Sequence, residues 1–224
     1  MIQELIDKHI AQLNDAELNS RTPSGKFSPS LLGACEKRQY LNKIKAEVTN
    51  PPDERAYRVF HVGRMFHDFV QKFFDDAETE VACEDELCKG YADIVTEDTV
   101  IDLKSQHSRS FWYMKKTDDI LTEKMNNWLQ AGWYAKQLKK PKVSLVFISK
   151  DDLCIAEYTL PYEKIEPHLE EELYNLSKIT DEPEKNPRLY GGKEKEDKKT
   201  RVAKECSYCN WKDYCGGYIV DGDS

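Results

Sequence analysis

Asp93, then Asp102, Leu103 and Lys104, then Gln130 and Tyr134 are the residues of this chain whose types and spacing could do chemistry. Acid, acid-x-Lys and Gln-x-x-x-Tyr together provide the groups for metal-assisted attack on a phosphodiester. Tyr91 to Val95 and Val100 to Lys104 alternate as strands do, and the polar Thr96 to Thr99 between them reads as a hairpin turn. A turn centred on Glu97 and Asp98 pairs 95 with 100, 94 with 101 and therefore 93 with 102. Carboxylates directly opposite each other repel, so a cation between them is the natural reason for both to be there. Magnesium or manganese suits such oxygen ligands. The period of two places Lys104 on the face of Asp102 and sends Ile101 and Leu103 into a core. A metal held there would polarise a phosphoryl oxygen and acidify a bound water, with Lys104 near enough to orient it. An ordinary solvated hairpin explains these three residues alone equally well, so the weight falls on the elements around them.

The spacing predicts a helix from about Lys124 to Leu138, with Gln130 and Tyr134 four apart on one face, Gln137 alongside, and Ala131, Ala135 and Leu138 inward. A Gln amide and a Tyr hydroxyl are neutral partners for a phosphate backbone. Upstream, Tyr57 to Phe74 carries Phe60, Gly63, His67, Val70 and Phe74 on one helical stripe. His67 then points with the apolar residues. A lone histidine there is usually a satisfied core residue, but a neutral imidazole facing the sheet could complete the coordination offered by Asp93 and Asp102.

The cysteines are a second signal. There are seven, and the odd count, with no N-terminal apolar signal segment and no span long enough for a bilayer, predicts a reducing cytoplasm without a disulfide framework. Cys206-x-x-Cys209 and then Cys215 form a ligand cluster that needs a fourth thiolate, and Cys35 is the best candidate. Ser28 is expected to cap a helix there, with Pro29 in its first turn. Four thiolates fit a tetrahedral zinc or an iron-sulfur cluster, and spacing does not separate them. Either would staple the two ends of the chain and contribute to folding. Cys83, Cys88 and Cys154 read as buried structural thiols.

The order Cys, His, Asp, Asp-x-Lys, Gln-x-x-x-Tyr, Cys-x-x-Cys-x5-Cys resembles the RecB-like branch of the PD-(D/E)XK nucleases, over residues 28 to 217. It looks most like the four-cysteine exonucleases typified by the fourth CRISPR-associated protein and its viral relatives. The resemblance implies that His67, Asp93, Asp102 and the carbonyl of Leu103 bind a catalytic Mg or Mn ion, and that Lys104 is the catalytic lysine. It implies that Gln130 and Tyr134 are the Gln-Tyr motif, and that Cys35, Cys206, Cys209 and Cys215 hold a 4Fe-4S cluster. The implied activity is a deoxyribonuclease acting as an exonuclease on single-stranded DNA ends. An alternative is the nuclease subunit of a CRISPR adaptation complex, bound to an integrase and trimming spacer precursors. A non-catalytic, cluster- or zinc-stabilised nucleic-acid-binding module is the alternative from another class. One departure is Asp102 where many members carry Glu, one methylene longer.

A chain of 224 residues can bury one full core. The expected architecture is α/β: a restriction-endonuclease-like core, a small mixed sheet flanked by helices, with the termini joined by the cysteine-ligated cluster. The single domain spans 1-224, with 28-45 and 205-217 forming the cysteine subdomain. Met1 to Leu13 reads as an amphipathic helix with Ile2, Leu5, Ile6, His9, Ile10 and Leu13 on one face, and Val143 to Ser149 with Cys154 to Leu160 as a second hairpin. Pro161 to Ile179 reads as a helix with Ile165, Leu169, Leu173 and Leu176 inward. Residues 181-204, with Pro183, Pro187, Gly191 and Gly192 and a charge run, read as a mobile, solvated loop. The net charge of −8 weighs against indiscriminate nucleic-acid binding, so positive residues must be concentrated locally. Phe111, Trp112 and Tyr113 beside Lys115 and Lys116 could stack unpaired bases or belong to the core.

Overall fold

The computed structural model describes residues 1–20, 24–184 and 204–216, the side chains of 15–20 and 204 excepted. A five-stranded mixed sheet runs through its centre in the order β1-β2-β3-β4-β5. The strands are β1 (Glu78–Glu84), β2 (Lys89–Val95), β3 (Thr99–Gln106), β4 (Lys142–Ser149) and β5 (Ile155–Pro161). All neighbours are antiparallel except β3 and β4, which run parallel from Thr99↔Lys142 to Gln106↔Ser149. A parallel pair needs a crossover. Residues 107–141 supply it, and it contains the helix expected to carry Gln130 and Tyr134.

Helices cover both faces of the sheet. Before it come α1 (Ile2–Ser20), α2 (Glu36–Lys43) and α3 (Glu54–Gln71); the crossover holds α4 (Ser108–Met114), α5 (Ile120–Glu123) and α6 (Met125–Leu138); α7 (Glu166–Ser177), α8 (Lys204–Ser207) and α9 (Lys212–Cys215) follow β5. One core layer joins α6, α4 and α7 to the sheet through Trp128, Trp133, Phe111, Leu145 and Phe147. A smaller one lies under α3, where Val70 meets Ile94, Ile101, Leu103, Val146 and Ile148. Each such fully buried side chain contributes about 1.5–3 kcal/mol, so burial sets the position of both helices. The fold is the restriction-endonuclease-like α/β core that the sequence predicts, and the Val143–Leu160 hairpin is there as β4 and β5.

Local chemistry sets the helix ends. Asp53 caps α3 by accepting the amide of Ala56 at 2.7 Å. The last turn of α6 closes at Lys139 in a left-handed conformation (φ 54°), two residues before Pro141. The region of Cys35 departs from expectation. The helix from Ser28 is only a 3-10 turn, Pro29–Leu31, and Ser28 makes no side-chain cap. Gly33 at φ 79° redirects the chain, so Cys35 stands at the start of α2 instead. The amide of Gly33 is taken by the buried Glu172 of α7 at 2.9 Å, and Gln39 Nε2 donates to the same oxygen at 3.0 Å.

The N-terminal helix forms as expected, and two other expectations, for Phe60 and Cys154, need correction. On α1 only Ile10 of the apolar set is buried; Ile2, Leu5, Ile6 and Leu13 remain exposed, and the helix is tied to α3 by polar contacts, Arg58 to Asp7 and Arg64 to Asn14. Phe60 is half exposed and not in the core, because the sheet beneath α3 ends short of it and leaves a cleft. Cys154 is only partly buried, at the edge of the β4–β5 turn, while Cys83 and Cys88 are buried as expected. Residues 181–184 carry no regular structure, and the rest of the expected 181-204 loop, apart from residue 204 at the start of α8, lies outside the described residues.

Gly33 gives a test of this local argument. A Cβ there would lie 2.6 Å from Asn126 Oδ1 and would face a strained positive φ. Gly33→Ala is expected to lower stability by about 1–3 kcal/mol, read as an earlier urea midpoint at unchanged slope. A midpoint equal to wild type would refute it.

Candidate active site

The sequence-derived register holds at Ile94↔Ile101 and Val95↔Val100, but the ladder ends there, so Asp93 and Asp102 are not a hydrogen-bonded strand pair. Asp93 instead turns its carboxylate onto the neighbouring strand, and its Oδ2 accepts the amide of Leu103 at 2.8 Å. The physical reason is that two facing carboxylates repel, while a backbone N–H gives Asp93 a charge-stabilising partner as the strands part. Ile101 and Leu103 point into the α3-side core, as the period of two requires.

Asp102 is the most buried charged residue among those described, 2% exposed. Burial, opposed by the charge of Lys104 and reinforced by that of Asp93, pushes its carboxyl up to about 6. Lys104 Nζ sits 2.8 Å from Oδ1 and 2.7 Å from Oδ2. It hydrogen-bonds Oδ1, whereas Oδ2 has the ammonium alongside but no aligned hydrogen. Burial also raises Asp93, against the pull of Lys104 and the Leu103 amide, and the charge of Glu80 adds to the rise. A pair of acids this desolvated is costly by itself, and the Lys104 ammonium against both Asp102 oxygens offsets part of that cost.

His67 projects from α3 with Nδ1 3.7 Å from Asp93 Oδ1, beyond hydrogen-bond reach. Burial, then the charge of Lys104, lowers its pKa despite Asp102 and Glu80, so the imidazole is neutral at pH 7 and can offer a lone pair. It also hydrogen-bonds the backbone of Leu103. Tyr134 is buried; burial, then the charges of Asp102 and Asp93, raises its pKa, and Gln130 hydrogen-bonds its hydroxyl. That hydroxyl reaches β2 at Tyr91 and packs on Gly90, where a Cβ would lie 2.6 Å from it. His67, Asp93, Asp102, Leu103, Lys104, Gln130 and Tyr134 therefore meet around the divergence of β2 and β3. Gln137 does not join them, because Asp85 binds its amide at 2.7 Å. No group of three or more His, Cys, Asp or Glu side chains is closed into metal-holding geometry among the described residues.

Beside this centre opens a cleft of about 630 Å³, lined by Phe60, Arg64 and His67 of α3 and by Glu80, Asp93 and Lys150. Sequence reasoning missed Glu80 and Lys150. Glu80 sits at φ 52° in β1, opposite Asp93 by the register Thr79↔Ile94 and Val81↔Ala92, and Gln71 holds its carboxylate at 2.9 Å. Pairing Glu78–Glu84 against Lys89–Val95 around the Asp85–Leu87 turn would have exposed it. Of the aromatic group, Phe111 is core, as one of the two readings expects, while Trp112 and Tyr113 are 46% and 82% exposed.

The cysteine segments also meet. Cys209 lies in the electrostatic range of Cys35 and Cys215, and its Sγ accepts the amide of Trp211 at 3.5 Å. Glu205 takes the amide of Cys35 at 2.8 Å, and Thr49 and Asn50 donate to the carbonyl of Asn210. Trp211 is buried, its Nε1 donating to Ala46 at 3.3 Å. Cys206 is one helical turn from Cys209, whose amide donates to its carbonyl. The donor set suits a thiophilic metal or cluster, and N–H···S contacts of this kind stabilise thiolates.

No family model matches the chain, and no curated protein matches it. Among solved structures it is similar to SSO0001, with 21% identity, 98% of each chain covered and a TM-score of 0.55. It is also similar to LHK-Exo, an alkaline exonuclease from Laribacter hongkongensis, in its complex with dAMP: 11% identity, 68% of this chain and 86% of that one, TM-score 0.50. At these identities the likeness establishes the fold. No helix among the described residues is long and apolar enough to cross a membrane.

The buried acids predict a pH signature. Asp102 has a folded-state pKa raised from 3.8 to about 6, so its contribution favours folding fully below pH ~4 and is lost as pH rises through about 6. In metal-free protein the thermal midpoint should fall across that window, and Asp102→Asn should flatten the fall. An identical pH profile for the variant in calorimetry would reject the assignment.

Proposed function

We propose that this chain is a divalent-metal-dependent deoxyribonuclease that shortens DNA from single-stranded ends. The observation that carries the proposal is the buried Asp102 carboxylate, ion-paired with Lys104 and set beside Asp93 and a neutral His67 at the edge of a cleft. His67, Asp93, Asp102 and the Leu103 carbonyl would hold a magnesium or manganese ion. When bound, that ion supplies charge neutralisation for the acids and polarisation of a phosphoryl oxygen. The Lys104 ammonium, here paired with Asp102, would stabilise negative charge developing on the phosphate once a bound cation replaced it at that carboxylate. Tyr134, its pKa raised by burial and the acids, keeps its proton at neutral pH and acts as a hydrogen-bond donor and not as a base. Gln130 holds that hydroxyl in place.

Cys35, Cys206, Cys209 and Cys215 are proposed to bind a 4Fe-4S cluster, with zinc as the alternative occupant. The packing of residues 205–215 on 35–50, through Glu205, Asn210 and Trp211, supports this reading. The exposed apolar residues of α1 favour a partner protein, and an integrase of a CRISPR adaptation complex is the form of that idea that the sequence resemblance suggests. Co-elution with such an integrase tests it.

The deciding experiment is purification without air, an absorption spectrum, and an assay on end-labelled single-stranded DNA with magnesium or manganese. The wild type should be brown and should release mononucleotides or short products. Asp102→Ala should lose about 10²-fold or more in rate while keeping its colour. Cleavage surviving in that variant contradicts the site; a colourless, zinc-containing wild type overturns the iron assignment alone.

A further inference from the structure

The cleft next to the acid centre has features the catalytic reading does not use. Phe60 is 50% exposed on its wall, in a helix of which Val70 is the one buried residue. Lys150 reaches in from beyond β4 with its ammonium against a backbone carbonyl, that of Val59, at 3.5 Å. It has no carboxylate partner among the described residues, and burial lowers its pKa. A partly desolvated ammonium with one long contact is poorly satisfied, and an incoming phosphate would improve it. Arg64 adds a second cation on the same wall, in a chain of net charge −8. His67, Asp68, Glu80 and Asp93 also line it, so three carboxylates accompany the two cations and a phosphate is drawn to Lys150 and not to the cleft as a whole. At about 630 Å³ the cleft has the capacity of a small-molecule site, room for a nucleotide but not for a duplex.

We propose that this cleft takes up one unpaired nucleotide of a single strand, its base stacked on Phe60 and its phosphate held by Lys150. The strand is thereby delivered to Asp93 and Asp102. The inference deepens the nuclease reading and rests on it for the direction of the strand. Base stacking on an aromatic ring is indifferent to sequence, so the cleft selects for absence of pairing and not for a base. A paired nucleotide cannot enter without unstacking from its neighbours, and this is the basis of the expected preference for single strands.

The test is fluorescence anisotropy of a labelled oligodeoxythymidine and of a labelled blunt duplex in EDTA, where no cleavage occurs. Phe60→Leu, which keeps apolar volume without the ring, should weaken single-strand binding about tenfold, and Phe60→Trp should restore it. Lys150→Gln should weaken binding and flatten the slope of log K against log salt by about 0.7. Duplex binding should change in neither variant. Variants that bind the single strand as wild type does, equal losses on duplex and single strand, or a wild type that ignores single strands would each overturn the proposal. Wild-type cleavage separates the two readings: if wild type shows no cleavage with any metal yet the Phe60 and Lys150 pattern appears in EDTA, the catalytic reading fails and the nucleotide site stands.

Discussion

The confinement of negative charge where β2 and β3 part is the constraint on which the rest of the site depends. Asp102 lies on a strand paired to β4 along its full length, so it cannot move to water without breaking that ladder. Its neutralisation by Lys104 is internal to the strand, two residues apart, and costs no distant element. Such an ion pair contributes little net stability once both desolvation penalties are counted. What it does provide is a carboxylate held ready in a site that excludes water. The end of the β2–β3 ladder follows from the same charge. Asp93 finds its partner in the Leu103 amide, and that choice separates the strands enough for His67 and Tyr134 to reach the acids from α3 and α6.

The helices that carry those side chains are fixed by apolar packing on opposite faces of the sheet, and one of them also meets the cysteine region. Gly33, two residues before Cys35, fits against Asn126 and Leu129 of α6, the helix of Gln130 and Tyr134. Glu172 of α7 closes the same corner through Gly33 and Gln39. Order in the cysteine segments is therefore passed to α6 through direct contact. A metal or cluster stapling Cys35 to residues 206–215 would act on the site through this packing and need not approach the substrate.

Much of this was legible in the sequence because period and turn chemistry are local. The alternation of Val100 to Lys104, the turn at Thr96–Thr99, and the four-residue spacing of Gln130 and Tyr134 each fix a direction without reference to the fold. What failed depended on where an element runs out of neighbours. Phe60 lies on the apolar stripe of α3, but the stripe extends past the sheet, so the same periodicity that buries Val70 leaves Phe60 on a cleft wall. Asp93 against Asp102 failed for an energetic reason that periodicity does not contain: a side chain outcompeted the ladder for a backbone amide. Glu80 and Lys150 were missed because each is brought in by pairing across the sheet, β1 onto β2 and β4 onto β3.

The acidic composition, which argued against nucleic-acid binding, has a different meaning once its distribution is known. Much of the surface acid is already engaged: Glu84 with Lys26 and Lys89, Asp98 with Lys142, Glu170 with Lys136. Exposed pairs of this kind cancel charge at little net gain in stability, because solvent screens them. Lys150 in the cleft is turned to a carbonyl, with no carboxylate partner among the described residues. An overall negative field then slows encounter with a polyanion, while a local pair of cations beside an aromatic ring rewards only a strand that has entered the cleft. On the proposed reading, a duplex meets the repulsive surface and is too wide for the cleft, whereas a thin, unpaired strand can reach Phe60 and Lys150.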